Sequence, residues 1–196
     1  MPVKLLIPRQ QYLASGIHMG MKLRTEDMRE FIYKIRPDGL AVLNLRKIDE
    51  RIRIASRFLA RAKNILVASK KSPVQKGVKK FAELIKAQAF VGRFLPGTLT
   101  NPSFEKYMEA DVVFILDPMI DKQALEEAVK ARVPVVAVCN SFNETRNVDL
   151  IIPANNKGKR ALATLLWLLA REILKERGEI KSDRDFKAKI EDFEEE

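Results

Sequence analysis

The sequence is poor in the side chains that enzymes most often use for nucleophilic or metal chemistry. Among its 196 residues it has one histidine, His18, and one cysteine, Cys139. A single cysteine excludes an internal disulfide and a thiolate metal cluster, and it gives no sign of an oxidising compartment. A histidine-based catalytic triad would have to use His18. We therefore expect a cytoplasmic protein with no catalytic residue, no cofactor, no metal site and no small-molecule substrate.

The eight glycines are spaced in a way that excludes the common nucleotide-binding loops. No two of them are separated by a single residue, so the fingerprint GxGxxG is absent, and so is the P-loop pattern GxxxxGK[ST]. Residues 69–72 (SKKS) follow a predicted strand and precede a predicted helix, where backbone N–H groups and lysine charge could hold one phosphate. A nucleotide-binding switch or a small-molecule enzyme using this crevice and Cys139 is therefore kept as an alternative.

The sequence also has no apolar run long enough to cross a membrane. Its most apolar stretch, residues 161–170, is bracketed by charged residues and is far shorter than the roughly 20 residues that a spanning helix needs. The apolar start of the chain is too short for the apolar region of a signal peptide. We expect neither membrane association nor export.

Positive charge is abundant and unevenly distributed. The formal net charge is +10, but residues 171–196 hold 7 basic and 10 acidic residues, so residues 1–170 hold 29 basic and 16 acidic residues, a net of +13. A compact domain with this charge favours a polyanionic partner, and nucleic acid is the first candidate. A basic enzyme, or a module that docks basic helices on acidic proteins, is an alternative.

Short apolar runs alternate with amphipathic helical patterns, which predicts βαβ units and a mostly parallel sheet. The runs at residues 39–44, 64–68, 111–116 and 133–139 are continuously apolar, as expected of strands covered on both faces, and 148–153 is a further candidate strand. Helical periodicity follows residues 44, 72, 121 and 157. We predict a capping box that starts at Ser72 and an N-cap at Asp121.

The periodic pattern ends near Gly178. We predict a single α/β domain over residues 1–178 and a charged, flexible tail over residues 179–196, because the tail offers little apolar surface to offset the entropy of ordering. Within the domain, Cys139 ends a buried strand and is expected to pack in the core. Asp111, Asp117 and Asp121 could form a carboxylate cluster, but caps and turns are the favoured interpretation for aspartates at strand and helix ends.

Three segments combine basic side chains with hydroxyl or amide groups suited to phosphate contacts: residues 17–25, 93–102 and 155–160. The third leads into a long helix whose amino-terminal dipole adds attraction for an anion. Tyr12, Tyr33 and Phe94 could stack on bases, although no aromatic pattern of an RNA-recognition motif is present.

Five ordered motifs resemble the ribosomal protein S2 family, whose eukaryotic members are also called the laminin receptor precursor. They are YLASGIHMG at 12–20, DGL at 38–40 with NLRK at 44–47, RFLPGTLTN at 93–101, PVVAVC at 134–139 and VDLIIPANNKG at 148–158. The resemblance implies a flavodoxin-like, Rossmann-like sheet flanked by helices on both faces. It also implies no catalysis and a structural role in the small ribosomal subunit, supporting assembly and translation.

The resemblance also implies partners and a source. It implies binding to small-subunit ribosomal RNA near the head-body junction, beside neighbouring small-subunit proteins. Bacterial members insert a long helical hairpin after the TN of the third motif, and this sequence does not, which is similar to the archaeal and eukaryotic branch. The short tail departs from the long acidic extension of eukaryotic members, so an archaeal source is expected and laminin binding is not carried over.

We therefore predict that polar and basic residues in four stretches of the chain contact ribosomal RNA. The predicted RNA-binding residues are His18, Lys22, Arg24, Lys34, Arg36, Arg93, Thr98, Thr100, Asn101, Asn155, Asn156, Lys157, Lys159 and Arg160.

Overall fold

The computed structural model describes residues 5–194, without the side chains of Pro73 and Arg184. The strands in this part of the chain are β1 (Ile32–Ile35), β2 (Ala41–Leu43), β3 (Ile65–Ser69), β4 (Gln88–Val91), β5 (Val112–Ile115), β6 (Val135–Cys139) and β7 (Leu150–Pro153). The α-helices are α1 (Arg9–Ser15), α2 (Leu45–Arg61), α3 (Gln75–Ile85), α4 (Lys122–Lys130) and α5 (Lys159–Glu176).

Five of the strands form one parallel sheet in the order β4-β3-β5-β6-β7. If these five strands are renumbered 1 to 5 in chain order, their order in the sheet is 2-1-3-4-5, as in flavodoxin-like sheets. Every residue of β3, β5 and β6 is buried, which explains why these strands read as continuous apolar runs. The predicted α/β fold class is confirmed.

Helices cover both faces of this sheet. α2 and α3 each pack against α5 on one face, and the right-handed crossover between β5 and β6 places α4 on the other. α2 begins at Asn44, whose side chain accepts a hydrogen bond from the Arg46 N–H, and it buries Ile48, Ile52 and Leu59. Each such side chain contributes about 1.5–3 kcal/mol when it is fully buried. The core fixes the frame from which the polar loops extend.

The apolar run at residues 39–44 does not join the parallel sheet, so that part of the strand prediction is wrong. It forms β2, which pairs with β1 in an antiparallel hairpin that turns at Gly39, where φ is +84°. Ala41 and Leu43 are buried while Val42 is half-buried, so the strand has one covered face and one face toward a groove. Apolar composition alone did not distinguish this arrangement from a strand buried on both faces.

The capping box predicted at Ser72 is wrong, whereas Asp121 is the N-cap residue of α4 as predicted, although its side chain makes no capping hydrogen bond. Residues Ser72–Val74 form a short 3₁₀ turn, and α3 starts after it without a side-chain cap. Asp121 precedes α4, but its Oδ1 accepts the backbone N–H of Lys70 at 2.7 Å rather than an N–H of its own helix. The backbone at the end of β3 competes for that carboxylate, and the competition is visible only in three dimensions.

The connection between β4 and β5 contains turns but no helix across residues 92–111. This agrees with the expected absence of a helical-hairpin insertion. Cys139 is fully buried, as predicted for a core residue, and burial raises the pKa of its thiol far above the usual range. Asp111 makes a turn contact, since its Oδ2 accepts the N–H groups of Lys63 and Asn64.

The carboxyl-terminal segment, residues 179–194, lies along α3 and α5. The indole N–H of Trp167 donates to the carbonyl of Ala188 at 2.7 Å, and Phe193 is 1% exposed. A Cβ atom at Gly77 would lie 2.5 Å from the Phe193 carbonyl oxygen, so this approach needs glycine. The domain boundary at residue 178 and the mobility of the tail stay predictions, and these contacts provide a way to test them.

Replacing Phe193 with alanine should lower the free energy of unfolding by about 3–5 kcal/mol, because a large buried ring is lost and a cavity remains. Urea denaturation measures the change. Glu191→Ala, an exposed position in the same 3₁₀ turn, is the matched control and should stay near the parent value. An unchanged stability for Phe193→Ala would mean that the segment is detached and flexible.

Candidate nucleic-acid interface

The carboxyl ends of the parallel strands meet at one edge of the sheet, and the polar loops collect there. The loops that leave this carboxyl edge include residues 92–111 after β4 and 154–158 after β7. Residues 17–25 are tied to the same edge: the Met21 N–H donates to Ser141 Oγ at 2.8 Å, and the Asn155 N–H donates to the Ile17 carbonyl at 2.8 Å. The fold thus brings all three predicted segments to one region.

A groove of about 880 Å³ lies between α1, the β1-β2 hairpin and the start of α2, and we call it the hairpin groove. None of the residues between 5 and 194 that line it is acidic, and they are Leu5, Arg9, Leu13, His18, Tyr33, Lys34, Arg36, Val42, Leu43, Asn44, Leu45 and Arg46. Arg36 pairs with Asp38 at 3.2 Å, an exposed pair that water screens. Four cationic side chains around one concave surface suit a polyanion.

His18 contributes to the hairpin groove in a different way from its cationic neighbours. Burial lowers the pKa of its imidazole, so the ring is neutral near pH 7. Its Nδ1 is buried and makes no hydrogen bond to a described residue, while its backbone carbonyl accepts from the Leu43 N–H at 2.8 Å. The side chain therefore adds little positive charge to the groove.

Only one of the three aromatic residues proposed for base stacking is exposed. Tyr12 is fully buried, and its hydroxyl donates to Asp49 Oδ1 at 2.9 Å, so the stacking prediction is wrong for it. Phe94 is 9% exposed and packs against Phe90. Tyr33, in contrast, is 68% exposed on the rim of the hairpin groove, where a base could stack on it.

The loop of residues 93–101 is held by a carboxylate that the sequence did not reveal. Glu127, buried on α4, accepts the N–H groups of Gly97 at 3.0 Å and Leu99 at 3.1 Å. The anchored loop presents Arg93, Thr100 and Asn101 to solvent.

Thr98, in contrast, is completely buried, and its Oγ1 donates to the Leu95 carbonyl at 2.7 Å. This geometry argues against a direct RNA contact by the Thr98 side chain. The hydroxyl closes a turn inside the loop and so helps to shape it.

Replacing Glu127 with alanine should leave two backbone N–H groups unpaired and cost about 1–3 kcal/mol. The loop should loosen, so hydrogen exchange at the amides of Gly97 and Leu99 should accelerate. Glu126→Ala, the exposed neighbour, serves as the control because its carboxylate pairs with Lys122 on the same helix and not with the loop in the described part of the chain. Unchanged protection of both amides in Glu127→Ala would refute the anchoring role.

The segment of residues 155–160 divides into a buried half and an exposed half. Asn155 Oδ1 accepts the N–H groups of Lys157 and Gly158, and its Nδ2 donates to Gly16, so this side chain shapes the turn. Asn156 is fully buried, with Nδ2 donating to Asn143 Oδ1 at 3.0 Å. That burial argues against a direct RNA contact by Asn156.

Lys157, Lys159 and Arg160 form the exposed half, around the first turn of α5. This turn has no side-chain cap and no acidic residue, so its free N–H groups and dipole add to the cationic charge. Lys157 lies over the Phe142 ring at 4.7 Å, which orients its ammonium. The arrangement is suited to an anion.

The remaining predicted contacts lie between these surfaces. Lys22 and Arg24 are exposed on the loop anchored by Ser141, whose Oγ also donates to the Leu23 carbonyl at 3.0 Å. Lys22 lies against Gly39 at the tip of the hairpin. Lys22 and Arg24 extend the cationic surface from the hairpin groove along the carboxyl edge.

The position where flavodoxin-like sheets bind ligands is filled by the protein itself. It lies between the ends of β3 and β5, where Lys71 Nζ pairs with Asp117 Oδ2 at 2.8 Å and the two side chains are 9% and 1% exposed. Asp117 Oδ1 accepts from Asn143 Nδ2 at 2.9 Å, and Lys71 also donates to the Asn156 carbonyl. Lys71 is thus occupied, which argues against phosphate binding by residues 69–72.

Within residues 5–194, no helix combines the length and apolar character that crossing a membrane requires. The same residues contain no cluster of three or more histidine, cysteine, aspartate or glutamate side chains placed to hold a metal ion.

Comparison with known proteins identifies a family. A family model described as ribosomal protein S2 matches residues 12–110 and 103–176. The small ribosomal subunit protein uS2 of Picrophilus torridus is 47% identical over 99% of this chain and 98% of its own length. The uS2 proteins of Thermoplasma acidophilum and Korarchaeum cryptofilum are 48% and 50% identical, over 99% and 96% of this chain and 98% and 88% of their own lengths.

Proposed function

This chain belongs to the ribosomal protein S2 family, and we propose that it is a non-catalytic structural component of the small ribosomal subunit that binds small-subunit ribosomal RNA. The family predicted from the five motifs is confirmed, and so is the archaeal type, which was predicted from the missing helical-hairpin insertion and the short tail. The single observation that carries the proposal is the match over nearly the whole chain to proteins named as small-subunit components. The protein accordingly acts in the cytoplasm, within the ribosome.

The geometry supports different kinds of RNA contact for different side chains. Cationic side chains of the hairpin groove and the carboxyl edge neutralise phosphates, while Tyr33 offers a ring on which a base can stack. We retain as proposed direct contacts His18, Lys22, Arg24, Lys34, Arg36, Arg93, Thr100, Asn101, Lys157, Lys159 and Arg160, and we add Arg9, Tyr33 and Arg46. Thr98, Asn155 and Asn156 hold the loops in shape instead.

A site near the head-body junction remains a proposal that rests on the family resemblance. Neighbouring proteins are proposed to contact α2, because Ile54 and Phe58 lie four residues apart and are 41% and 39% exposed. Apolar side chains at this spacing share one helix face and suit a protein neighbour. Arg57 beside them pairs with Glu176 at 3.1 Å and is 65% exposed.

Sedimentation tests the proposed function. In cell extracts, the tagged chain should travel with the small subunit through a sucrose gradient, and ribonuclease treatment should release it. A catalytically active pool that stays free of ribosomal particles would contradict the proposal and favour the enzyme alternative. Retention on protein-stripped RNA would exclude docking on acidic proteins as the main role.

A further inference from the structure

The outward side of α2 carries a row of side chains at the spacing of a coiled coil. The members of the row follow one another at intervals of four, three, four and three residues, which aligns them along the helix. The opposite side of α2 holds the buried residues Ile48, Ile52 and Leu59. We call the row the α2 stripe, and its members are Lys47, Arg51, Ile54, Phe58 and Arg61.

Two large apolar side chains form the middle of the α2 stripe. Ile54 is 41% exposed and Phe58 is 39% exposed, although they lie on the side of an amphipathic helix where polar residues are expected. Residues four apart on a helix are neighbours on its surface, so the two side chains form one apolar patch. Exposed apolar surface that is rimmed by charged side chains marks an interaction site.

Basic side chains form both ends of the α2 stripe. Lys47 and Arg51 lie over the Phe31 ring, at 5.4 and 5.2 Å from its centroid, and they pair with Glu30 at 3.6 and 3.7 Å. These contacts hold the two cations in place, while a single carboxylate leaves one of their two charges uncompensated. Arg61, at the other end, is exposed and makes no ion pair with a described residue. The stripe therefore has an apolar centre between two cationic ends.

RNA is poorly matched to this arrangement. Phosphates would approach the cations but would leave the apolar centre against a charged backbone. Ile54 has no ring face on which a base could stack. Protein–protein interfaces, in contrast, are enriched in aromatic side chains and arginine, and Phe58 is surrounded by both arginines of the stripe. The composition of the α2 stripe favours a protein neighbour.

The geometry of the α2 stripe restricts the shape of that neighbour. Side chains at alternating intervals of three and four residues form the line along which a second helix packs, at an angle of about 20°. From Lys47 to Arg61 the line extends for about 21 Å, at about 1.5 Å per residue, which a partner helix of about four turns would cover.

The charges of the α2 stripe restrict the neighbour further. None of its five side chains is acidic, so a helix with basic residues opposite the two ends would be repelled. A helix with acidic residues near both ends, and with apolar residues three or four positions apart between them, complements the stripe in charge and in apolar surface.

We propose that the α2 stripe binds an acidic amphipathic helix of a neighbouring small-subunit protein, whose apolar residues cover Ile54 and Phe58 and whose carboxylates face the cationic ends. The inference rests on the proposed function and deepens it, since it assigns a secondary structure and a charge to the neighbour that contacts α2.

Photo-crosslinking on intact small subunits tests what lies against the stripe. Phe58 is replaced by p-benzoyl-phenylalanine in the tagged full chain, and small subunits that contain this chain are purified and irradiated. Mass spectrometry should identify a crosslinked peptide from a ribosomal protein, with helical apolar periodicity and more acidic than basic residues. The same photoreactive residue at Val129, a 43% exposed apolar position on α4, is the matched control and should not be joined to that peptide.

Binding of the identified segment, as a fluorescently labelled synthetic peptide, measures what the stripe contributes. Phe58→Ser should weaken binding to the full chain by roughly tenfold or more, the effect of losing a buried aromatic anchor. Arg61→Glu should weaken binding at low salt, and this loss should shrink as salt is added. Val129→Ser should bind as the parent does, and thermal unfolding should show that all three exposed substitutions leave the fold intact.

The outcomes separate the inference from the function on which it rests. A crosslink from position 58 to RNA, to a second copy of the chain or to a basic segment would overturn the docked helix, and so would the absence of any crosslink in subunits that contain the chain. Either result leaves the role in the small subunit standing. No binding of the peptide by the parent, or equal binding by Phe58→Ser, would also overturn the inference. A chain that does not sediment with small subunits would instead contradict the proposed function.

Discussion

Raising the salt concentration from 50 to 200 mM should weaken binding to folded small-subunit RNA by roughly 10³- to 10⁵-fold, the range for about 6–10 phosphate contacts. The reason is the release of counterions from RNA when cationic side chains neutralise phosphates. The hairpin groove and the first turn of α5 supply the charges, and none of the described residues that line the groove is acidic. Filter binding or anisotropy over a salt series measures the effect.

The same salt series, repeated on variants, tests whether the cationic side chains of the carboxyl edge cause the salt dependence. Replacing Lys157, Lys159 and Arg160 with glutamine should reduce the slope of log affinity against log salt by about 2 to 3, since each lost phosphate contact removes somewhat less than one. Stability should change little because all three side chains are exposed.

The control for this variant removes the same charge from the opposite edge of the sheet. Lys63, Lys130 and Arg132 are exposed beside the amino ends of β3 and β6. Their triple glutamine variant should keep the parent slope within about 1. Equal slopes for the two triple variants would mean that the charge acts as a diffuse field and that the carboxyl edge has no special role.

The second large effect is expected at the buried ion pair. Lys71→Ala should lower the free energy of unfolding by about 3–5 kcal/mol, because it leaves Asp117 as an uncompensated buried charge. Urea denaturation measures the loss. The double variant Lys71→Met with Asp117→Asn removes both charges and should recover more than half of it.

The ion pair also decides between the RNA-binding account and the nucleotide-binding alternative. If Lys71 and Asp117 were poised for a ligand, removal of Lys71 would cost little stability, and nucleotides would raise the melting temperature of the parent protein. We expect the opposite in both respects. A stable Lys71→Ala variant, together with nucleotide-dependent stabilisation of the parent, would favour a ligand-binding crevice.

Four of the five strands of the parallel sheet could be predicted from their apolar runs, whereas β4, whose residues are exposed or half-buried, was not among the predicted runs. The runs containing β3, β5, β6 and β7 were recognised on this basis. The run containing β2 is equally apolar, yet it lies in a hairpin whose uncovered face borders a groove. Its placement depends on contacts with β1 and residues 17–25, which no local pattern records.

The polar residues were harder to assign because their roles depend on partners distant in sequence. Thr98 and Asn156 have the composition of surface contacts but are fully buried, and Glu127 resembles a solvated helix residue but anchors a loop. Exposed cations such as Lys157 were identified correctly as surface residues, since nothing buried requires their charge. Burial of a polar side chain is a property of the folded chain, and one sequence without its fold does not disclose it.

The most direct test of the central claim is ultraviolet crosslinking of intact small subunits, followed by mass spectrometry of the peptides joined to RNA. We expect crosslinked peptides from the hairpin groove and from the loops of residues 93–101 and 155–160. Lys63, Lys130 and Arg132, at the amino edge, should yield none. Crosslinks concentrated at the amino edge, with the groove and the loops unmodified, would contradict the account.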